Sequence, residues 1–158
     1  MSGGAGIGMR WTQRVVPPFW LLLALIASGV LHHVLPIAKL LEPPVTWLGL
    51  APLGVGMVLT SKGFGAFRRA GTPVVPFRRS TTLVTSGVYR LTRNPMYLGL
   101  TLILAGSAWM RGSIGACVPL PLLIWILQSS FIRTEERLLE EIFGGEYLRY
   151  KSAVRRWL

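Results

Sequence analysis

The chain has 158 residues, 51% of them hydrophobic and 15% charged, with a formal net charge of +11 and a mean hydropathy of +0.50. This is one domain's worth of chain, and the scarcity of charge excludes an ordinary soluble domain, in which about a quarter of residues are charged. The basic residues fall between long apolar runs, not on one polar unit, so they fit anionic lipid and membrane topology and not nucleic acid. Cys117 is the single cysteine, which excludes an internal disulfide.

Residues 1–14, with Arg10, Arg14 and a run of glycines, read as a flexible cytoplasmic lead. The run is no nucleotide loop, because no strand precedes it and no amphipathic helix follows. The next apolar stretch continues past signal-peptide length without a small-residue cleavage pattern, which predicts a retained helix over about 15–35. His32 and His33 near its end point about 100° apart and read as packing or interfacial residues, not as a shared metal site. A turn with Lys39, Glu42, Pro43 and Pro44 precedes a second predicted helix over about 45–59, whose Gly49, Gly54 and Gly56 suit close helix contact.

Residues 60–94 form a long basic connection carrying Lys62, Arg68, Arg69, Arg78, Arg79, Arg90 and Arg93 and punctuated by Pro73 and Pro76. No acidic residue lies between Glu42 and Glu135. Connections of this length tend to carry function. A third helix is expected over about 95–109, shorter than the roughly 20 residues of a full span. A fourth is expected over about 114–132. The tail, 133–158, holds Glu135, Glu136, Glu140, Glu141 and Glu146 and reads as two amphipathic helices joined at Gly144-Gly145 and lying on the membrane surface.

Charge fixes the expected topology. Fifteen Lys and Arg fall in the lead, the long connection and the tail, against Lys39 and Arg111 in the two opposite turns. The positive-inside rule then gives four crossings with both termini cytoplasmic. The fold expected is an all-α membrane protein, a single domain of about four transmembrane helices with a cytoplasmic amphipathic tail. The acidic tail and the acid-free loop share one side and are expected to dock and wall a site.

The centre of that site is Gly87-Val-Tyr-Arg-Leu-Thr-Arg-Asn-Pro-Met-Tyr-Leu-Gly99. Asn94 is suited to cap the third helix and Pro95 to open it. Arg90 and Arg93 stand beside a helix N-terminus, a combination that favours an anion. There is no Asp, no glycine fingerprint for a dinucleotide, no phosphate loop and no metal-ligand spacing. The inventory of arginines, glutamates and tyrosines suits holding a charged cofactor that carries the chemistry itself. S-adenosylmethionine matches it, with a carboxylate for an arginine, ribose hydroxyls for a glutamate and a sulfonium methyl whose transfer chiefly needs alignment.

Arg-Asn-Pro-Met-Tyr after Gly-x-Tyr-Arg, followed by a Glu-Glu pair and Phe-Gly-x-x-Tyr, resembles the integral-membrane methyltransferases that include the isoprenylcysteine carboxyl and phospholipid N-methyltransferases. The resemblance covers about residues 45–158. It implies cofactor contact by Tyr89, Arg90, Arg93, Asn94, Pro95, Tyr97, Glu135 and Glu136, and a substrate-covering tail with Phe143, Tyr147, Tyr150 and Arg155. Arg93, Asn94 and Arg155 are the implied catalytic residues, S-adenosylmethionine the cofactor, and a lipophilic or lipidated molecule the substrate. The isoprenylcysteine enzymes usually carry His where this chain has Asn94, whereas the phospholipid enzymes resemble the Asn-Pro-Met-Tyr form. Val88 also replaces the usual Pro. Two other classes fit less well: a sterol-reductase-like enzyme is longer, and a small multidrug exporter needs an intramembrane carboxylate.

Overall fold

The structure is a computed structural model that describes residues 16–35, 38–71 and 81–158. The expected lead, together with Pro73, Pro76, Arg78 and Arg79, lies outside the described residues. The described elements are α1 (Pro17–Val34), α2 (Leu50–Arg69), α3 (Pro95–Arg111), α4 (Ile114–Cys117), α5 (Pro119–Ile126), α6 (Arg133–Phe143) and α7 (Gly145–Ala153). Short 3-10 turns at Val45–Gly49 and Gly87–Arg90 lead toward α2 and α3, and a π-helical segment, Leu127–Ile132, joins α5 to α6. Among the described residues no strand forms.

Among the described residues three helices are long and apolar enough to cross a membrane: Pro17–Val34, Val45–Arg69 and Ile114–Phe143. The third expected helix, α3, has 17 residues and is not among them. Its position explains why. It packs against α2 on one side and against α1, α4 and α5 on the other, so neighbouring helices rather than lipid surround it. The helices around it meet lipid: α1 buries Pro17, Leu21, Ala24 and Ser28 at helical spacing and exposes Phe19, Leu22, Ile26 and Val30. The core joins Leu21 and Ala24 of α1, Tyr97, Leu100 and Leu104 of α3, and Leu123, Leu127, Phe131 and Ile132.

Helices in lipid associate through close packing and polar contacts, because hydrocarbon gives them little hydrophobic drive. The α2–α3 seam is built from glycines seven residues apart. A Cβ on Gly49 would lie 2.5 Å from the Gly106 carbonyl oxygen, and one on Gly56 would lie 2.6 Å from that of Gly99. Gly63 continues the row, with a Cβ there meeting Met96 at 2.6 Å, whereas Gly54 faces open space. At the opposite end of the molecule from the site, the Leu40 amide donates to the Gly112 carbonyl at 2.7 Å, and His32 Nδ1 lies 2.8 Å from Ser113 Oγ. Ser28 Oγ also donates to the Ala116 carbonyl at 2.7 Å, tying α1 to α4.

Two boundaries differ from the sequence expectation. The second helix ends at Arg69 and not near 59, because nothing stops it before Gly71, where φ is +63°. The fourth expected helix does not end at 132. It runs on through the π segment into α6, since neither Gly nor Pro interrupts the chain between Pro121 and Gly144. The joint expected at Gly144 is present, with φ +49°, and α7 follows it.

Candidate functional site

The loop before α3 and the tail after the fourth helix dock on one another. The Arg93 amide donates to the Arg155 carbonyl at 3.0 Å. Thr92 Oγ1 and Asn94 Nδ2 donate to the Arg156 carbonyl at 2.9 and 3.2 Å. Arg93 Nη1 donates to the Lys151 carbonyl at 3.1 Å, and the Tyr150 hydroxyl to the Tyr89 carbonyl at 2.6 Å. Side chains from both partners and from three helices then line a cavity: Tyr89, Arg93 and Asn94 from the loop, Tyr97 from α3, Glu135 and Glu136 from α6, and Tyr147 and Tyr150 from α7.

Charge in the cavity wall is arranged in pairs. Glu136 is buried and receives Arg156 Nη2 at 2.6 Å and Arg93 Nη2 at 3.3 Å. Glu135 accepts the Tyr97 hydroxyl at 2.7 Å. Tyr97 is itself fixed against Phe131 of the π segment, with ring centroids 6.2 Å apart. Burial pushes the Tyr89 and Tyr147 phenols far above their ordinary range, assisted by the charges of Glu135 and Glu136 respectively. Burial also pushes Tyr150 up to about 12. All three phenols are therefore neutral hydrogen-bond donors, with that of Tyr150 already given to the Tyr89 carbonyl.

Three buried polar atoms of the wall have no partner among the described residues: the Tyr89 and Tyr147 hydroxyls and Arg93 Nε. An unpaired buried donor costs about 1–3 kcal/mol. Three such donors on residues lining one cavity are what an acceptor-rich group, such as a carboxylate, would satisfy, and the described residues supply none. The same wall offers Glu135 to a donor, and Phe67, Met96 and Leu139 to an apolar surface. A ligand combining carboxylate, hydroxyl and apolar parts fits that set.

Eight of the residues expected from the sequence thus meet at one cavity, and four stand elsewhere. Arg90 and Arg155 are exposed and outside the lining. Pro95 is buried at the start of α3, against which Gly63 packs. Phe143 is half-buried at the end of α6. Asn94 occupies the cap position of α3 but makes no side-chain capping bond; its amide group reaches the Arg156 carbonyl instead. Of the Arg-Arg doublet it is Arg156 and not Arg155 that joins Arg93 at Glu136, a distinction the doublet leaves invisible in sequence. Phe67 was also missed, because α2 was expected to end before it; its ring meets Tyr89 edge-on with centroids 5.6 Å apart.

Comparison with known proteins places this geometry in a family. The profile of the phospholipid methyltransferase family matches residues 44–146. A probable protein-S-isoprenylcysteine O-methyltransferase of Oryza sativa subsp. indica is 31% identical over 112 residues, 70% of this chain and 59% of that protein. Protein-S-isoprenylcysteine O-methyltransferase A of Arabidopsis thaliana is 30% identical over 112 residues, 70% of this chain and 57% of that protein. The cobalt-zinc-cadmium resistance protein CzcN of Cupriavidus metallidurans is 34% identical over 108 residues, 67% of this chain and 47% of that protein. The chain therefore spans less than two thirds of the length of these relatives. No solved structure matches it significantly. With the matched region covering α2, α3, the loop motif and the Glu-Glu pair, the chain belongs to the phospholipid methyltransferase family.

Proposed function

We propose that this protein transfers a methyl group from S-adenosylmethionine to a lipophilic acceptor at the cytoplasmic face of a membrane. The observation that carries the reading is the group of buried donors without partners, Tyr89, Arg93 and Tyr147, set beside the Glu135 carboxylate. Arg93 and the two phenols would hold the carboxylate of the methionine end, and Glu135 would take its ammonium or a ribose hydroxyl. When bound, the cofactor supplies a sulfonium methyl: the sulfur–methyl bond breaks as the acceptor–methyl bond forms. The protein's part is alignment of the two reactants and exclusion of water.

Tyr97 and Phe67 line the cavity on the side of the apolar bodies of α3 and α2, where a chain-bearing acceptor would enter from the bilayer. The exposed Ile142 and Leu148 of the tail would rest on the same interface. We take the acceptor to be an isoprenylcysteine-like carboxylate, a thiol or another lipid. Among the cavity's side chains Glu136 is taken up by the two arginines and Glu135, which accepts the Tyr97 hydroxyl, is assigned here to the cofactor, which leaves no separate carboxylate to deprotonate an ammonium. A phospholipid amine is the second reading, favoured by the Asn94-Pro95-Met96-Tyr97 form.

Incubating the purified protein with methyl-labelled S-adenosylmethionine and either membrane lipid extract or a soluble metabolite pool tests the proposal. Label is expected in the organic phase, released by mild base if the product is a carboxyl ester and retained if it is an N-methyl lipid. Label only in water-soluble products would overturn lateral access.

A further inference from the structure

Adjacent glutamates on a helix point about 100° apart, and here the two meet different surroundings. Glu136 is buried, and each of its oxygens lies within reach of a guanidinium: Arg156 Nε at 3.1 and 3.2 Å, Arg156 Nη2 at 2.6 Å and Arg93 Nη2 at 3.3 Å. Among the described residues, Glu135 is engaged only by the Tyr97 hydroxyl, and it is half-buried at the cavity. Arg156 belongs to a short strap that follows α7. The strap carbonyls of residues 155 and 156 accept from the Arg93 amide, Thr92 and Asn94, and Trp157 Nε1 donates to Gln128 Oε1 at 3.2 Å.

We infer that the glutamate pair is divided in role: Glu136 is a positioning residue that pins the C-terminal strap and aims Arg93, while Glu135 is the carboxylate that faces the ligand. A carboxylate with its oxygens taken by two guanidinium groups has little to give a ligand. The strap closes the α7 wall of the cavity, so Tyr147 and Tyr150 depend on it for their place. Gly144 and Gly145, with open space around both, form the joint about which α7 would swing once the strap is released. The ligand half of the inference rests on the methyl-transfer reading; the strap half does not.

Limited trypsin digestion of the full chain in detergent tests the strap. Wild type is expected to resist cleavage after exposed Arg149 and after Lys151. Arg156→Ala is expected to raise that rate by at least about tenfold, since breaking a buried pair exposes the segment it held. Arg156→Lys restores part of the protection, and Glu135→Gln leaves it at the wild-type level. Glu136→Gln also strips Arg93 of its partner, so Arg156→Ala, which removes a partly exposed side chain, decides the matter if the former does not fold. Calorimetry with S-adenosylmethionine tests the other half, and Glu135→Gln is expected to weaken binding by at least about tenfold. Equal tail cleavage in wild type and Arg156→Ala would overturn the strap. Wild-type affinity in Glu135→Gln, or a tail as well protected in Glu136→Gln as in wild type, would overturn the division. A wild-type protein that binds no S-adenosylmethionine would instead overturn the methyl-transfer reading, with the digestion still deciding the strap.

Discussion

A buried hydroxyl without a partner is a liability to the free protein, and the Tyr147 side chain carries one while being 1% exposed. Removing it leaves the ring packing intact and relieves the unpaired group. Tyr147→Phe is therefore expected to hold or raise the thermal midpoint of the free protein, by up to about 1 kcal/mol of stability. The same change is expected to weaken S-adenosylmethionine by about 0.5–1.5 kcal/mol, a stabilised protein that binds less well. A fall in both quantities would mean that the hydroxyl is already paired in the free protein. Sequence made the residue types of this site legible, because Arg93, Tyr97 and the Glu-Glu pair sit at motif spacings. It did not tell ligand contacts from scaffold contacts. Asn94 looks like a cap, and only its 3.2 Å reach to the Arg156 carbonyl, a residue 62 positions away, reveals a staple. Such long-range partners leave no local pattern.

At the scale of the elements, the site depends on α2 and α3 standing close enough for Phe67, Met96 and Tyr97 to share one cavity. Their separation is set by the rows Gly49, Gly56, Gly63 and Gly99, Gly106. A Cβ on Gly99 would collide with Thr60 Oγ1 and stand 2.6 Å from the Gly56 carbonyl oxygen, and backbone cannot yield as a flexible side chain can. Gly99→Ala is expected to destabilise the protein by about 1–3 kcal/mol, read as a lower midpoint of thermal unfolding in detergent. Gly54→Ala is the control: its Cβ meets nothing within 4 Å, so the better helix propensity of Ala should stabilise by about 0.5–1 kcal/mol. Matching shifts for the two would mean that the seam does not set the approach. Sequence revealed Gly49 and Gly56 but gave no means of separating them from Gly54, since the face of a uniformly apolar helix is chosen by its neighbours. The helix limits at Arg69 and Phe143 were likewise hidden, because charged residues continue a helix as readily as apolar ones when no glycine or proline intervenes.

For the whole molecule we propose that α3 is the fourth crossing. It starts at the cavity and ends at Gly112, whose carbonyl accepts from Leu40 in the turn between α1 and α2. It therefore runs between the same two ends of the bundle as α2, although at 17 residues, about 25 Å, it falls below the usual span. Burial among its neighbours removes the need for a full apolar length, since α3 hides Leu98, Gly99, Leu100, Leu104, Gly106 and Ala108. The cavity end also carries the tail, Arg68, Arg69, Arg90 and Arg93, and the other end carries Lys39 and Arg111, so by the positive-inside rule we propose that the cavity faces the cytoplasm. We predict that Ser86→Cys and Glu42→Cys, each in a Cys117→Ser background and both at exposed positions, are labelled from opposite sides by a membrane-impermeant thiol reagent. Ser86→Cys should react only after the membrane is opened and Glu42→Cys in intact cells. Labelling of both from outside would place the loop and the tail on the far face, and with them the cavity, away from any cytosolic supply of S-adenosylmethionine.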